Sequence, residues 1–328
     1  MNSRYRYLIG VVVVALLATS MVFSARALAA EGRFERTLKV TGPVDLDVRT
    51  GAGTITVRTG DAASVVVRGV IKTHGEHGGE DAEKKVRYLE SNPPIEQNGN
   101  IIKVGHIEDP ELPRYISISY DLVVPVETRL RSGSGSGDQT VDGIRGPLDA
   151  STGSGSLKLS NIGDTVKAST GSGDVQLNGV KGHVRASTGS GGIRAMGIAG
   201  GLRASTGSGD VTLEQTAAGD VEVNTASGSI RLKGVRGSLH AQTASGDIIA
   251  EGEGSGSWRL ETASGNVTVR LPAKQGFHLN ARSVSGSIHT AREMTVQGTI
   301  SQHELRGKVG DGGFQLDVST VSGSVRIE

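Results

Sequence analysis

Several residue types are scarce in this chain of 328 residues, and each scarcity excludes something. There is no cysteine, which excludes disulfide bonds, thiolate chemistry and a lipid anchor attached to a cysteine. Aromatic residues make up 3% of the sequence, so aliphatic side chains and threonine must fill any core. The 35 lysines and arginines nearly balance the 34 aspartates and glutamates, which argues against nucleic acid as a partner.

Long apolar runs are equally scarce, and the one that stands out lies at the N-terminus. Arg4 and Arg6 precede an apolar run over Leu8–Phe23, and an Ala-Leu-Ala sequence ending at Ala29 places small residues where signal peptidase reads them. We therefore predict that residues 1–29 form a signal peptide cleaved after Ala29. The protein is then exported to the periplasm, the cell surface or the medium. The alternative is an uncleaved membrane anchor, although the run is short for a spanning helix.

Glycine, by contrast, is abundant, with 49 residues, and it recurs in a phrase that repeats about every eighteen residues. The phrase reads Ser-Thr-Gly-Ser-Gly or Thr-Ala-Ser-Gly, and alternating apolar residues follow it. A period this short cannot hold two helices, so it favours strands. The serines of the phrase are Ser136, Ser154, Ser172, Ser190, Ser208, Ser227, Ser245, Ser264, Ser285 and Ser322.

One unit of the repeat, Ser169–Ala186, shows what the period means. Val175 and Leu177 alternate with polar residues, glycines follow, and Val184 begins a second alternation, which predicts two short strands between glycine corners. A single unit has too few inward side chains for a core, whereas stacked units share one. We therefore predict an all-β fold, a parallel β-solenoid (β-helix) of short strands with about 18 residues per coil, over residues 122–328.

The sequence between the signal and the repeats is less regular, and we predict an N-terminal β region over residues 30–121 with a small α+β excursion. This excursion would cover the N-terminal edge of the solenoid. Its hairpin is expected to close with a type I′ turn at Asn98-Gly99. At the C-terminal end, Trp258, Phe277 and Phe314 fall in the inward phase and are predicted to cluster as a plug. The predicted N-terminal elements are strands at Leu38–Val48 and Gly51–Val57, a helix at Asp81–Leu89 and a hairpin at Ile95–Val104.

Three stretches of sequence carry a family resemblance. Gly51–Val57, Tyr120–Pro125 and the repeated Thr-Gly-Ser-Gly-Asp-Val phrase are similar to those of the bacterial β-strand-repeat proteins named putative adhesins, whose domain has no known function. The resemblance covers nearly all of the chain after the signal. It implies a right-handed parallel β-helix in the cell envelope and no established catalytic residues.

The main functional alternative is a carbohydrate-active β-helix enzyme of polysaccharide lyase or hydrolase type, whose chemistry needs carboxylates close together. The slot after the Ser-Gly corner holds aspartate only in alternate units, at Asp138, Asp174, Asp210 and Asp247. Two carboxylates one coil apart would repel by about 0.9 kcal/mol even in bulk water, so we interpret the alternation as avoidance of like charge. We predict no enzymatic activity, no catalytic residue and no cofactor.

The hydroxyl residues beside the corner are predicted to be structural. A catalytic serine needs a base, and no histidine recurs near these serines in the sequence. Hydroxyl ladders that bond to neighbouring coils and to corner amides explain the pattern better. The inward threonines of this ladder are Thr152, Thr170, Thr188, Thr206, Thr225, Thr243 and Thr262.

We also predict no metal site. The corner phrase lacks the residue between glycine and aspartate that calcium-binding nonapeptide rolls require. A second group of possible ligands lies in a glycine-rich loop and matches no closed zinc site, so a solvated loop is favoured. Its members are His74, Glu76, His77, Glu80 and Asp81.

A row of outward cations is the candidate binding surface. Lys167, Arg185 and Arg203 occupy the same outward slot in three successive units, about 4.8 Å apart. They form either a solvated face or an anion-binding stripe. We predict an exported structural or adhesin-like binding module whose partner is an envelope protein or a glycan. Contact with a membrane is expected only through an uncleaved N-terminal segment.

Overall fold

The computed structural model describes residues 31–73, 80–107, 116–296 and 301–328. The predicted signal peptide and its cleavage site after Ala29 lie outside the described residues. So do His74, Glu76 and His77, and the side chains of Glu80 and Asp81 are not described. Within the described ranges, no helix is long and apolar enough to cross a membrane.

The N-terminal part contains the one helix of the described residues, together with seven strands. These elements are β1 (Glu31–Lys39), β2 (Val44–Thr50), β3 (Ile55–Thr59), β4 (Ser64–Thr73), α1 (Glu80–Ser91), β5 (Ile95–Asn98), β6 (Ile101–Val104) and β7 (Ile116–Val124).

The repeat region follows with short strands joined by glycine-containing corners. They are β8 (Thr128–Ser134), β9 (Gln139–Asp142), β10 (Leu148–Thr152), β11 (Leu157–Ile162), β12 (Val166–Thr170), β13 (Val175–Val180), β14 (Val184–Thr188), β15 (Ile193–Ile198), β16 (Leu202–Thr206), β17 (Val211–Gln215), β18 (Val221–Ser227), β19 (Ile230–Val235), β20 (Leu239–Ser245), β21 (Ile248–Gly252), β22 (Trp258–Ser264), β23 (Val267–Arg270), β24 (Phe277–Ser285), β25 (Ile288–Thr290), β26 (Met294–Val296), β27 (Glu304–Val309), β28 (Phe314–Ser322) and β29 (Val325–Ile327).

All of these strands belong to two long sheets. The first sheet has the order β1-β4-β7-β3-β9-β11-β13-β15-β17-β19-β21-β23-β29-β25. The second sheet has the order β26-β27-β24-β28-β22-β20-β18-β16-β14-β12-β10-β8-β2-β6-β5. From β8 to β23 the chain alternates between the sheets, and the strands within each sheet are parallel. An all-β fold with two long, mostly parallel sheets is therefore confirmed.

The core is a set of aliphatic ladders that the two-residue alternation predicts. Val175 and Leu177 of β13 are 0% and 2% exposed, whereas Gln176 between them points outward and is exposed. Val175 pairs in register with Leu157 on one side and Ile193 on the other, so equivalent residues stack directly. Because successive side chains point to opposite faces of a strand, each unit contributes one inward row from each sheet.

Glycine is needed at two kinds of corner. Gly179 has φ of +69°, a left-handed conformation that glycine adopts without strain, and Asn161 takes the equivalent place one unit earlier with φ of +56°. At the other corner the reason is space. A Cβ on Gly173 would lie 1.9 Å from the carbonyl oxygen of Gly155, so the stacked backbones approach too closely for a side chain.

Two of the predicted N-terminal strands need correction. The single strand expected over Leu38–Val48 is two strands, because β1 pairs antiparallel with β4 in the first sheet whereas β2 pairs parallel with β8 in the second. The chain changes sheets at Gly42-Pro43, where proline has no N–H to donate to a ladder. The strand expected from Gly51 begins only at Ile55.

The predicted helix is confirmed as α1, which buries Val86 and Leu89. The hairpin is confirmed as β5 and β6, but the predicted position of its turn is wrong by one residue. Asn98 pairs with Ile101, so Gly99 and Asn100 form the loop. Gly99 has φ of +59° and Asn100 does not have positive φ, which excludes a type I′ turn and fits type II′. The helix packs on β1 and β4 at one end of the first sheet, and the hairpin forms the corresponding end of the second sheet. The excursion thus covers the edge at which the repeats begin, as predicted.

The last unit of the chain is out of sequence order. A sequential stack would place β24 directly on β22. Instead β28 lies between them, with Ser322 paired to Ser264 on one side and to Ser285 on the other. In the first sheet β29 lies between β23 and β25 in the same way. The C-terminal end of the chain is therefore inserted within the stack.

The predicted aromatic cluster is present at this insertion. The ring centroid of Phe314 lies 5.7 Å from that of Trp258 and 6.0 Å from that of Phe277. Trp258 is fully buried and its Nε1–H donates to the carbonyl of Gly237 at 3.0 Å. Because Phe314 belongs to β28, the inserted unit contributes the middle ring of the cluster.

Candidate functional site

The outward face of the second sheet carries a continuous line of charged side chains, which we name the charged row. Each member pairs in register with the next. Most of them are the second residue of their strand, whereas Arg131 and Asp317 are the fourth residue of the longer strands β8 and β28. The cations predicted from the repeat are thus aligned. The charged row consists of Arg131, Asp149, Lys167, Arg185, Arg203, Glu222, His240, Arg259 and Asp317.

Acidic residues flank the three central cations of the charged row. The Lys167 Nζ lies 3.2 Å from Asp149 Oδ2, and the Arg203 guanidinium forms an ion pair with Glu222. Arg185, in the middle, forms no ion pair with any described residue. The three cations therefore do not stand alone, because a carboxylate pairs with the first and the last of them.

Arg185 lines two of the shallow cavities on this face. The larger has a volume of about 670 Å³ and is lined by Arg185, Arg203 and Glu222, among others. The smaller, of about 430 Å³, is lined by Arg185, Lys167 and Asp149. His183, at the corner before β14, lines both. Arg185 can therefore be reached by a ligand from either cavity.

A second row of polar side chains runs parallel to the charged row, two positions further along each strand. Its first members are serines that pair in register, and a cavity of about 450 Å³ lies between them and Lys167. Hydroxyl and amide groups in this row can donate and accept hydrogen bonds beside the charges. The row consists of Ser151, Ser169, Ser187, Ser205, Asn224 and Gln242.

The lining of the larger cavity also includes three carboxylates, those of Asp220, Glu222 and Asp317. Asp220 and Glu222 are two residues apart on the same face of β18 and its preceding corner, which places their Cα atoms about 7 Å apart. Asp220 Oδ1 accepts the backbone N–H of Ser238 at 2.9 Å, and Glu222 pairs with Arg203. A general acid must hold a proton, whereas both of these carboxylates accept hydrogen bonds from donors.

The inward threonines form the predicted hydroxyl ladder. The Thr170 hydroxyl donates to the carbonyl of Gly155 in the preceding unit at 2.8 Å and accepts the N–H of Gly173 in its own corner at 3.1 Å. Thr188 repeats both bonds with Gly173 and Gly191. Each of these two buried hydroxyls donates one hydrogen bond and accepts another, so both stabilise the contact between units and neither is available for a reaction.

The alternating aspartates have a role that the sequence interpretation missed. Asp174 Oδ1 accepts the backbone N–H of Gly192 in the next unit at 2.8 Å. The same bond joins Asp138 to Ser156, Asp210 to Ser229 and Asp247 to Asn266. An aspartate in one unit thus binds an amide of the next, and residues in the intervening slots act in the same way: Ser156 Oγ lies 3.4 Å from the Asp174 amide, and Asn266 Oδ1 accepts the N–H of Ser324 at 2.9 Å. The signal in the sequence is that residues with a side-chain oxygen, Asp, Ser or Asn, fill this slot in every unit from Asp138 to Ser287 except that of Gly192.

This role gives a test. We expect Asp174→Ala to lower the free energy of unfolding by about 1 kcal/mol, since it removes the acceptor of the Gly192 amide. Asp174→Asn keeps an oxygen in place and should stay near the wild type. Urea unfolding of both variants measures the difference. Equal stability of the alanine and asparagine variants would show that this hydrogen bond does not contribute to stability.

One serine outside the predicted hydroxyl ladder contacts a histidine. Ser287 Oγ lies 2.9 Å from His289 Nε2 and 3.3 Å from Ser324 Oγ, at the exposed C-terminal edge of the first sheet. Nucleophilic catalysis also needs a group that orients the base. Among the described residues, no partner binds the other ring nitrogen of His289. We interpret the contact as a surface hydrogen bond.

Three shifted pKa values lie in the N-terminal part, away from the charged row. Burial raises the pKa of Tyr120. A hydrogen bond from Arg33 lowers the pKa of Glu31, and a hydrogen bond to Glu35 raises the pKa of Arg68. Within the described ranges, no group of three or more histidine, aspartate and glutamate side chains could hold a metal ion.

Three solved structures of bacterial proteins resemble this chain, each at 10% sequence identity and over 90% of its length. A putative lipid binding protein from Parabacteroides distasonis ATCC 8503 aligns over 97% of its own chain with a TM-score of 0.38. A putative adhesin from Bacteroides fragilis NCTC 9343 aligns over 97% with a TM-score of 0.30. A putative cell adhesion protein from Clostridium sporogenes ATCC 15579 aligns over 98% with a TM-score of 0.21. Similarity at this level carries no functional conclusion.

The family comparison is more informative. No curated protein matches the sequence. The family model described as Toastrack DUF4097 matches residues 148–328, which include the central cations of the charged row. Since this match covers more than half of the chain, the protein belongs to the Toastrack DUF4097 family.

Proposed function

We propose that this protein is an exported, non-catalytic binding module of the cell envelope, built as a right-handed parallel β-solenoid with about 18 residues per coil. Its charged row, with Lys167, Arg185 and Arg203 at the centre, is the anion-binding stripe, and its partner is an anionic envelope polymer. The alignment of these three cations across successive strands is the observation that carries the proposal. The N-terminal apolar run before Ala29 supports export.

Neither of the two cavities that Arg185 lines has a phenylalanine, tyrosine or tryptophan in its lining, which favours a charged polymer over a neutral sugar. Trp258 and Phe277 are fully buried, so these two rings cannot stack on a ligand. The charged row is exposed, and its members repeat at the strand spacing of about 4.8 Å over several units. A polymer with regularly spaced anionic groups can therefore contact several units at once. Each further contact raises the effective concentration for the next.

The proposal is tested with the triple variant Lys167→Gln, Arg185→Gln, Arg203→Gln. We expect its binding to isolated envelope polymer to fall about tenfold or more, because charge-assisted hydrogen bonds are lost. Its melting temperature should change little, since exposed ion pairs contribute little to folding. Wild-type binding should weaken as salt is raised.

The matched control changes the same charge on the opposite face. Lys158, Arg194 and Arg231 point outward from the first sheet, and their triple glutamine variant should bind the polymer as the wild type does. If both triple variants lose binding equally, the interaction is a general charge effect. If neither loses it, another surface binds the partner, and an envelope protein captured by the wild type becomes the alternative. N-terminal sequencing of the exported protein should give Ala30 as the first residue.

The second candidate function is a carbohydrate-active enzyme, which the juxtaposition of Asp220 and Glu222 in the larger cavity favours. We rank it lower because Asp220 already accepts a hydrogen bond from the Ser238 amide and Glu222 already pairs with the Arg203 guanidinium. The discriminating measurement is the release of reducing ends from an anionic polysaccharide. Release by the wild type that is lost in Asp220→Asn would replace the binding proposal with catalysis.

A further inference from the structure

We infer that Arg185 is the centre of a discrete site for a phosphate or sulfate monoester, and that Asp149 and Glu222 compete with this ligand for the cations beside it. The inference rests on the proposed function in that it uses the same face. It adds the chemical class of the ligand, and it adds that two carboxylates of the protein lower the affinity for that ligand by pairing with the same cations.

Arg185 has an unusual position in the charged row. Its neighbours in the row, Lys167 and Arg203, are both cations, each about 4.8 Å away along the sheet. Its guanidinium presents five N–H donors in one plane, and no described carboxylate forms an ion pair with it. Like charges at this spacing repel, so an anion bound at Arg185 relieves the repulsion among all three side chains.

The two flanking carboxylates are held only by exposed ion pairs. The side chains of Lys167 and Asp149 are 60% and 45% exposed, and those of Arg203 and Glu222 are 55% and 36% exposed. Ion pairs with this exposure are weak and exchange readily. Lys167 and Arg203 can therefore turn from their carboxylates toward a ligand on Arg185. The five residues carry a net charge of +1, which leaves one cation for the ligand.

The number of donors favours a tetrahedral oxyanion over a carboxylate. Arg185 lines both of these cavities, whereas of the two Lys167 lines the smaller and Arg203 the larger. A ligand at Arg185 therefore lies between the donors of Lys167 and Arg203, which belong to the units on either side. A phosphate or sulfate monoester offers three acceptor oxygens to them, whereas a carboxylate offers two. Asp220, which also lines the larger cavity, is directed toward the Ser238 amide.

The experiment measures binding of inorganic phosphate and inorganic sulfate to the exported chain by titration calorimetry, and of sulfated dextran against uncharged dextran of equal length. We expect Arg185→Gln to weaken binding of the free anions about tenfold. Arg194→Gln, an exposed arginine on the first sheet, should leave it unchanged. Asp149→Asn and Glu222→Gln should each tighten it severalfold, because each frees a cation. Melting curves verify that all four variants fold.

Tighter binding by Asp149→Asn and Glu222→Gln is the result that distinguishes this site from an ordinary basic patch, because the effect is expected at the two carboxylates that pair with Lys167 and Arg203. Failure of the wild type to bind phosphate and sulfate, or equal loss in Arg185→Gln and Arg194→Gln, overturns the site. Unchanged affinity in both carboxylate variants overturns the competition. If the free anions bind at Arg185 but neither sulfated dextran nor envelope polymer does, the site stands and the proposed function fails. If the polymers bind without dependence on Arg185, the proposed function stands and the site fails.

Discussion

The Val175→Asp variant is expected to lose about 4 kcal/mol or more of unfolding free energy, a large part of the roughly 5–15 kcal/mol by which native proteins are stable. Val175 is fully buried and stacks between Leu157 and Ile193 in the first sheet. No lysine or arginine is buried among the described residues, so a carboxylate in this ladder must be buried unpaired or force the ladder apart.

The neighbouring position supplies the control. Gln176 lies one residue further along β13, points outward and pairs in register with Lys158 and Arg194. Gln176→Asp introduces the same side chain between two exposed cations, so its stability should stay within about 0.5 kcal/mol of the wild type. Chemical unfolding of both variants measures the contrast. Wild-type stability of Val175→Asp would mean that β13 presents its other face to the core.

The inward ladders could be predicted from sequence because a strand has a period of two and the phrase repeats with constant phase. Once the glycine corners are recognised, Val175, Leu177 and Thr170 can only face inward, and they do. The charged row follows from the same phase. Asp149 and Glu222 lie eighteen and nineteen residues from Lys167 and Arg203, so the repeat places them in the same row. The ion pairs that they form with these cations are seen only in the structure.

Tertiary contacts decided the details that the sequence prediction missed. The hairpin turn lies at Gly99 and Asn100 because Asn100 binds the preceding segment. Its side-chain oxygen accepts the N–H of Thr41 at 3.1 Å and its carbonyl accepts the N–H of Asp45 at 3.0 Å. The local Asn-Gly signal carries no information about these partners. The same holds for the alternating aspartates, whose acceptors serve amides eighteen or nineteen residues away.

The insertion of the last unit is the largest feature beyond the reach of the sequence. The phrases ending at Ser264, Ser285 and Ser322 are alike, so each could stack on either of the others. Local pattern fixes which face of a strand is buried, but it does not fix which strand lies next to it. The chain order β22-β24-β28 and the spatial order β22-β28-β24 satisfy the same alternation.

Engineered disulfides are expected to distinguish the two orders in an all-or-none way. Glu261 of β22 pairs in register with Ser319 of β28, and Ser319 pairs in turn with Arg282 of β24. Neighbouring parallel strands place such residues about 4.8 Å apart, within the Cα range of a disulfide, whereas strands separated by another lie about 9.6 Å apart. The native chain has no cysteine, so the introduced pair has no competitor.

The Glu261→Cys, Ser319→Cys variant should therefore oxidise to one intramolecular disulfide, and so should Ser319→Cys with Arg282→Cys. The Glu261→Cys, Arg282→Cys variant should remain reduced in the folded state, because β28 separates the two positions. Mass spectrometry of tryptic peptides under non-reducing conditions detects the disulfide in each of the three variants.

A disulfide in a folded monomer of the Glu261→Cys, Arg282→Cys variant would show that the units stack in chain order. A disulfide between two chains of the Glu261→Cys, Ser319→Cys variant would show that the last unit is exchanged between copies.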